Sequence, residues 1–124
     1  MSISNYLENA LLNAVFNSTS FSVTGNPYVS LHTADPGETG ASEVTGGSYA
    51  RQQADFIAAA SGALDNSAII DFASMPAVTV VGVGVWDALS GGNFLWGGTL
   101  DANKTTNSGD TYRIIAGALD VTLD

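Results

Sequence analysis

The chain reads as mainly β: an antiparallel β-sandwich or jelly-roll-like single domain with one N-terminal α-helix. Three observations lead there. From residue 21 onward, short runs alternate apolar and polar side chains, the period of a strand with one buried face. Turn-forming clusters of Gly, Pro, Asn and Ser separate those runs into about seven or eight strands, the spacing of a sandwich, jelly roll or small barrel. Helical spacing occurs ahead of them, at residues 5–16.

In residues 5–16, Leu7, Leu11, Ala14 and Val15 share a face, with Ile3 one turn earlier and Leu12 and Phe16 widening it. Asn5 followed by Glu8 has the spacing of a capping box, and Asn17-Ser-Thr-Ser20 ends the run because those side chains compete for backbone hydrogen bonds. Phe21 and Val23 begin the period-two pattern, which runs to the Gly25-Asn26-Pro27 turn. Residues 28–32 form a strand with Tyr28, Ser30 and His32 on one face and Val29 and Leu31 on the other. A long excursion with Pro36, Gly37, Gly40, Gly46 and Gly47 follows, and residues 49–53 resume as a strand.

Residues 54–60 fit a strand end or a short helix equally well. Residues 68–72 form a strand closed by Met75-Pro76. The strongest strand is 77–86, with Val78 and Val80 on one face and Val81, Val83 and Val85 on the other across a bulge. Gly82 and Gly84 leave one of its faces bare, which suits close approach of another backbone or a large aromatic ring. A turn at 87–93 leads into a hairpin partner at 94–98 carrying Trp96. A polar loop spans 101–110, and strands at 112–115 and 119–123 close the chain.

At 124 residues, one domain spanning 1–124 is expected, and 45% apolar residues supply a core. Three basic residues against twelve acidic ones give a net charge of −9. Arg51, Lys104 and Arg113 are scattered, which excludes a nucleic-acid stripe and disfavours anionic membranes. With no cysteine, disulfides and thiolate metal sites are excluded. The N-terminus lacks a basic segment ahead of its apolar residues, so no signal peptide is expected, and no apolar run approaches the ~20 residues of a membrane span.

Candidate chemistry is thin. His32, the single histidine, shares a strand face with Ser30 and lies near Asp35, an arrangement that invites a nucleophile–base reading; a hydrogen-bonded structural histidine is the simpler one. Asp35, Glu38 and Glu43 in one loop, with Asp87 and Asp101 elsewhere, match no calcium-loop spacing, and carboxylates in turns ordinarily cap backbone groups. No cofactor and no metal is expected. Gly82-Val-Gly84 lacks the third glycine and following helix of a dinucleotide fingerprint. Arg51, between Tyr49 and Gln53, pairs with a loop acid such as Asp35 or Glu43 either as a surface ion pair or as part of an interface. Trp86 and Trp96 read as core residues; glycan stacking would need an exposed ring.

The block Leu31-His-Thr-Ala-Asp-Pro-Gly37, with Glu43-Val-Thr-Gly-Gly-Ser-Tyr-Ala-Arg-Gln52, resembles a segment of small structural proteins of tailed bacteriophages, described variously as head decoration, cement or tail-fibre proteins. The helix before it and Val85-Trp86-Asp87 after it extend the likeness over much of the chain. The resemblance implies a β-sandwich or jelly-roll virion protein with no reaction chemistry. The expected role is a capsid decoration or cement protein that binds the major capsid protein on the outer lattice as a homotrimer, made in the host cytoplasm. A tail fibre or tail-associated module touching a host receptor is the alternative, and a small hydrolase using His32 a remote one. Interface candidates are Leu7 and Leu11 on the helix, Asp35, Glu38 and Glu43 in the loop, and Tyr49 and Arg51 after it.

Overall fold

A computed structural model describes residues 2–123. Within them a five-stranded antiparallel sheet has the order β1-β7-β6-β2-β3, formed by β1 (Ser2–Ile3), β7 (Phe94–Thr106), β6 (Val78–Trp86), β2 (Tyr28–His32) and β3 (Gln52–Gln53). Two short antiparallel ladders accompany it: β4 (Ala63–Asp65) with β9 (Asp120–Thr122), and β5 (Ile70–Phe72) with β8 (Tyr112–Ile114). The fold is thus mainly β, antiparallel and small, with the single helix α1 (Asn5–Phe16) at its N-terminal end.

Helix α1 occupies the residues its spacing predicts, but its cap differs. Ser4, not Asn5, is the N-cap: its hydroxyl accepts the Leu7 N–H at 3.2 Å and donates to the Phe94 carbonyl. Because Ser4 must also anchor β1 to β7, the cap sits one residue earlier than the capping-box spacing implied. Glu8 lies in the first turn, while the carboxylate that reaches the helix N-terminus is Glu38, which accepts the Asn5 N–H at 2.8 Å.

The central strands pair as β2 with β6 (Val29 opposite Val85, Ser30 opposite Gly84, Leu31 opposite Val83, His32 opposite Gly82) and β6 with β7 (Val85 opposite Trp96, Gly84 opposite Gly97). One face therefore carries Val29, Leu31, Val83, Val85 and Trp96. These side chains join Ile70, Phe72, Tyr112, Ile114 and Leu119 from the ladder side, with Val44, Ala54 and Met75, in one buried cluster. A register irregularity between Val80 and Gly82 shifts the side-chain phase. As a result Val80 joins Val83 and Val85 in the core, instead of facing away from them as strict alternation implies.

Other departures from the sequence reading have local causes. Residues 21–23 form no strand; Phe21 instead packs edge-on against Tyr6 of α1 with ring centroids 6.4 Å apart. Only Gln52–Gln53 of the 49–53 run is strand, since Tyr49 and Arg51 turn toward Glu43. Strand β7 continues through the expected 101–110 loop as far as Thr106. Residues 100–103 face Val81 alone, after which Lys104, Thr105 and Thr106 rejoin β6, with the Thr79 and Thr105 hydroxyls 2.9 Å apart. Residues 54–60 form neither a strand nor a helix; isolated bridges Phe56–Asn66 and Ala60–Ala63 hold them, and β4 follows as an unexpected strand. Asn66, 1% exposed, staples this corner: its amide donates to the Ala68 and Ile115 carbonyls and its oxygen accepts the Leu119 N–H at 2.9 Å.

Candidate functional site

The opposite face of the central sheet carries Ser30, His32, Trp86, Phe94 and the small residues between them. Ser30 and His32 are adjacent on one strand face, two residues apart. Gly84 lies directly opposite Ser30, and a Cβ there would stand 2.6 Å from the Phe94 ring, 2.8 Å from the Ser30 hydroxyl and 2.9 Å from His32 Nε2. The bare strand face predicted from Gly82 and Gly84 is thus filled by this aromatic and hydroxyl group packing and, farther along, by Pro36, whose ring lies against Gly82 and Gly97.

Loop 33–48 covers that face. Its base is zipped onto β2 along the edge that β3 covers only at Tyr28 and Val29: Thr33 N–H donates to Ser42, Val44 N–H donates to the Leu31 carbonyl, and Glu43 bridges to His32. Pro36 is buried, and its carbonyl accepts both the Gly40 and Ala41 N–H groups at 3.0 Å. Gly40 has φ +73°, and a Cβ on it would lie 2.4 Å from Trp86, so backbone conformation and space both require glycine there. Nothing in the Asp-Pro-Gly turn signature announced a buried Pro36, because such a turn is equally at home in solvent.

Three of the predicted site residues converge here. Arg51 grips Glu43 through Nε and Nη2, the latter at 2.9 Å, and its Nη1 donates to the Ala88 and Gly91 carbonyls at 3.0 and 2.8 Å. Its guanidinium lies 3.8 Å over the Trp86 ring. Tyr49 donates to Glu43 at 2.8 Å, accepts the Leu31 N–H at 2.9 Å, and stacks on Phe72 of the apolar face. Burial favours the neutral acid at Glu43, yet the hydrogen bonds from Arg51 and Tyr49 outweigh it and hold the carboxyl below its ordinary range. Burial pushes the Tyr49 phenol far upward, so it remains a donor at any working pH. The ion pair joins the loop, the 49–53 segment and the β6–β7 turn.

The remaining candidates lie apart. Asp35 is exposed, and its carboxylate accepts the Gly37 N–H at 3.0 Å, the turn-capping role expected of a loop acid. Glu38 is exposed and ties the loop to α1. Leu7 packs against the buried cluster, while Leu11 lines a groove beside Ile3, Leu12, Val15, Phe16 and Leu123. Trp96 is 1% exposed and belongs to the core; Trp86 is covered by Arg51 on its ring face.

Ser30, His32 and Trp86 form a hydrogen-bonded chain. Trp86 Nε1–H donates to Ser30 Oγ at 2.8 Å, Ser30 Oγ lies 2.7 Å from His32 Nε2, and His32 Nδ1 lies 2.7 Å from the Ala41 carbonyl. An indole only donates and a carbonyl only accepts, so the neutral ring must carry its proton on Nδ1 and accept from Ser30 at Nε2. The polarity is that of a nucleophile–base pair with a carbonyl in the place of the orienting acid. Both residues are nevertheless 0% exposed, so no substrate reaches the hydroxyl as it stands. Desolvation by burial, chiefly, keeps the imidazole below its ordinary 6.5 and therefore neutral. Among the described residues no group of His, Asp and Glu is placed to hold a metal ion, and no helix is long and apolar enough to cross a membrane.

The fold and site define a small β-rich structural module whose buried polar groups fix a loop. Residues 2–122 match the family described as podophage GP4 fiber I protein gp80, and the chain belongs to that family. It is a small bacteriophage structural protein, and a fibre family places it among virion components. A comparison with curated proteins finds no match.

Proposed function

We propose that the protein is a non-enzymatic fibre subunit of the phage particle that associates with copies of itself, as a trimer, through helix α1. The observation that carries this is the helix's unpartnered apolar face. None of its residues is buried, and Leu12, Val15 and Phe16 are 55, 72 and 75% exposed. Together with Ile3, Leu11 and Leu123 they form a largely apolar groove whose one charged lining residue is Glu8. No Asp, Glu, Lys or Arg occurs between Glu8 and Asp35, in a molecule of net charge −9. With Glu8 as its single carboxylate, this face carries little of the like charge that opposes contact between copies.

A second reading is favoured by the loop: a conformationally fixed projection bearing Asp35 and Glu38 suits attachment to a neighbouring virion protein, and the capsid decoration role would make the major capsid protein that partner. Reconstruction of the virion separates the two, with density in the tail or fibre supporting the first reading and density on the capsid lattice the second. Light scattering of the free protein tests self-association. A trimer that Phe16→Asp converts to monomer is expected. A monomer at high concentration, together with normal incorporation of Phe16→Asp into particles, would discard the helix as an interface.

A further inference from the structure

We propose that His32 is an acid-sensitive latch: protonation of its ring releases loop 33–48 from the glycine floor of β6 and β7. The inference concerns the loop and stands apart from self-association through α1. Its ground is the directional chain Trp86 to Ser30 to His32 to Ala41, which uses each polar atom once. A second proton on Nε2 would set two donors, indole and imidazolium, against Ser30 Oγ and leave the Ser30 proton without its acceptor.

The charged groups facing the ring offer no relief. On the loop, Glu43 would attract the cation, but its oxygens are already taken by Arg51 and Tyr49. From the 49–53 segment, Arg51 repels it. The parts of β6 and β7 packed on the ring, Gly82, Gly84 and Phe94, carry no charge. The loop's other acids are engaged elsewhere, Asp35 with Gly37 and Glu38 with α1. A buried imidazolium must therefore find water, and the element covering it is the loop, attached at Ala41. Lifting the loop would expose the Trp86, Phe94 and Ser30 face.

The sign follows from the lowered value. Below 6.5 the open form takes up a proton that the closed form does not, so the opening constant rises about tenfold per pH unit from 6.5 down to the folded value. Because His32 is the single histidine, imidazole nitrogen NMR reports on it without ambiguity. The expected result is an Nδ1–H tautomer that titrates below 6.5. The Thr33, Gly40, Ala41 and Val44 amides, corrected for intrinsic rates, should lose protection about tenfold per pH unit while those of β6 stay protected. In His32→Gln the slope should vanish, whatever the baseline. A ring that titrates at its ordinary value, loop protection that ignores pH, or parallel loss in β6 and the loop would each overturn the latch.

Discussion

On one face of the central sheet, Val29, Leu31, Val83, Val85 and Trp96 meet the side chains of β5 and β8; on the other, Ser30, His32, Gly82 and Gly84 meet a loop. The first contact is apolar and non-directional, so its strength scales with the area removed from water. The second depends on atoms arriving in register: an indole proton on a hydroxyl, a carbonyl on an imidazole, a proline on a strip without Cβ atoms. One face supplies cohesion and the other supplies a fixed shape. A protein whose output is a surface needs both, and the two should fail differently.

The largest expected effect lies on the apolar face. Phe72 is 1% exposed, stacks on Tyr49 at 6.0 Å and meets Tyr112 edge-on at 6.3 Å. Phe72→Ala should cost about 3–5 kcal/mol, the range for truncating a buried aromatic, seen as a lower urea midpoint with an unchanged slope. A loss under about 1 kcal/mol would mean that the ladder side contributes little cohesion.

On the loop face the comparison sharpens with Glu43→Ala. It leaves Arg51, its side chain 9% exposed, and the Tyr49 hydroxyl without their acceptor. A fully buried pair broken in this way costs about 3–5 kcal/mol; Glu43 retains 23% side-chain exposure, so about 2 kcal/mol is expected. Combined with Arg51→Ala the effects should fall well short of additive, and additivity would dissolve the network into separate contacts. The pH dependence has a definite sign. Glu43 sits below its ordinary 4.5, so its contribution is whole above 4.5 and drains as pH falls through the lower folded value. The His32 contribution begins to fall higher, from 6.5 downward, and Glu43→Ala should remove only the more acid of the two losses.

Legibility divides along the same line. The apolar runs at 28–32 and 77–86 placed the two central strands, although burial in them does not alternate. Val29 to His32 are all buried, with the core on one face and loop 33–48 on the other, and a register irregularity carries Val80 into the core. The two glycines of β6 announced a close approach by backbone or by a large aromatic ring, and both are present, the Phe94 ring at Gly84 and the Gly98 and Ala34 carbonyls at Gly82; the Pro36 ring was not foreseen. A pairing of Arg51 with a loop acid, Asp35 or Glu43, was expected from the scarcity of cations. The choice of Glu43 and the position over Trp86 were not, since residues 51 and 86 are brought together by the β3–β2 and β2–β6 registers. Asn66 gave no signal: an asparagine between turns reads as solvated, and its two hydrogen bonds to distant backbone, at Ile115 and Leu119, appear only after the chain has folded. The run at 101–106 misled for a similar reason, as its polar side chains suit a loop while cross-strand threonines hold it in the sheet.

The smallest expected effect isolates burial from charge pairing. Arg113 and Asp71 stand opposite each other in the β5–β8 ladder, joined through Nε at 2.8 Å and Nη2 at 3.0 Å, a two-point grip much like that of Arg51 on Glu43. Here the side chains are 56 and 39% exposed. The Arg113 hydrogen bond, above all, lowers the Asp71 carboxyl, but water competes for both groups and ordering two long side chains offsets what the bond gains. Arg113→Ala should leave the thermal midpoint within experimental scatter and be insensitive to added salt. Had ion pairing itself secured loop 33–48, the two pairs would weigh alike. A drop for Arg113→Ala matching that for Glu43→Ala would show as much, and would move the origin of the loop's rigidity from the sealed polar face to surface charge.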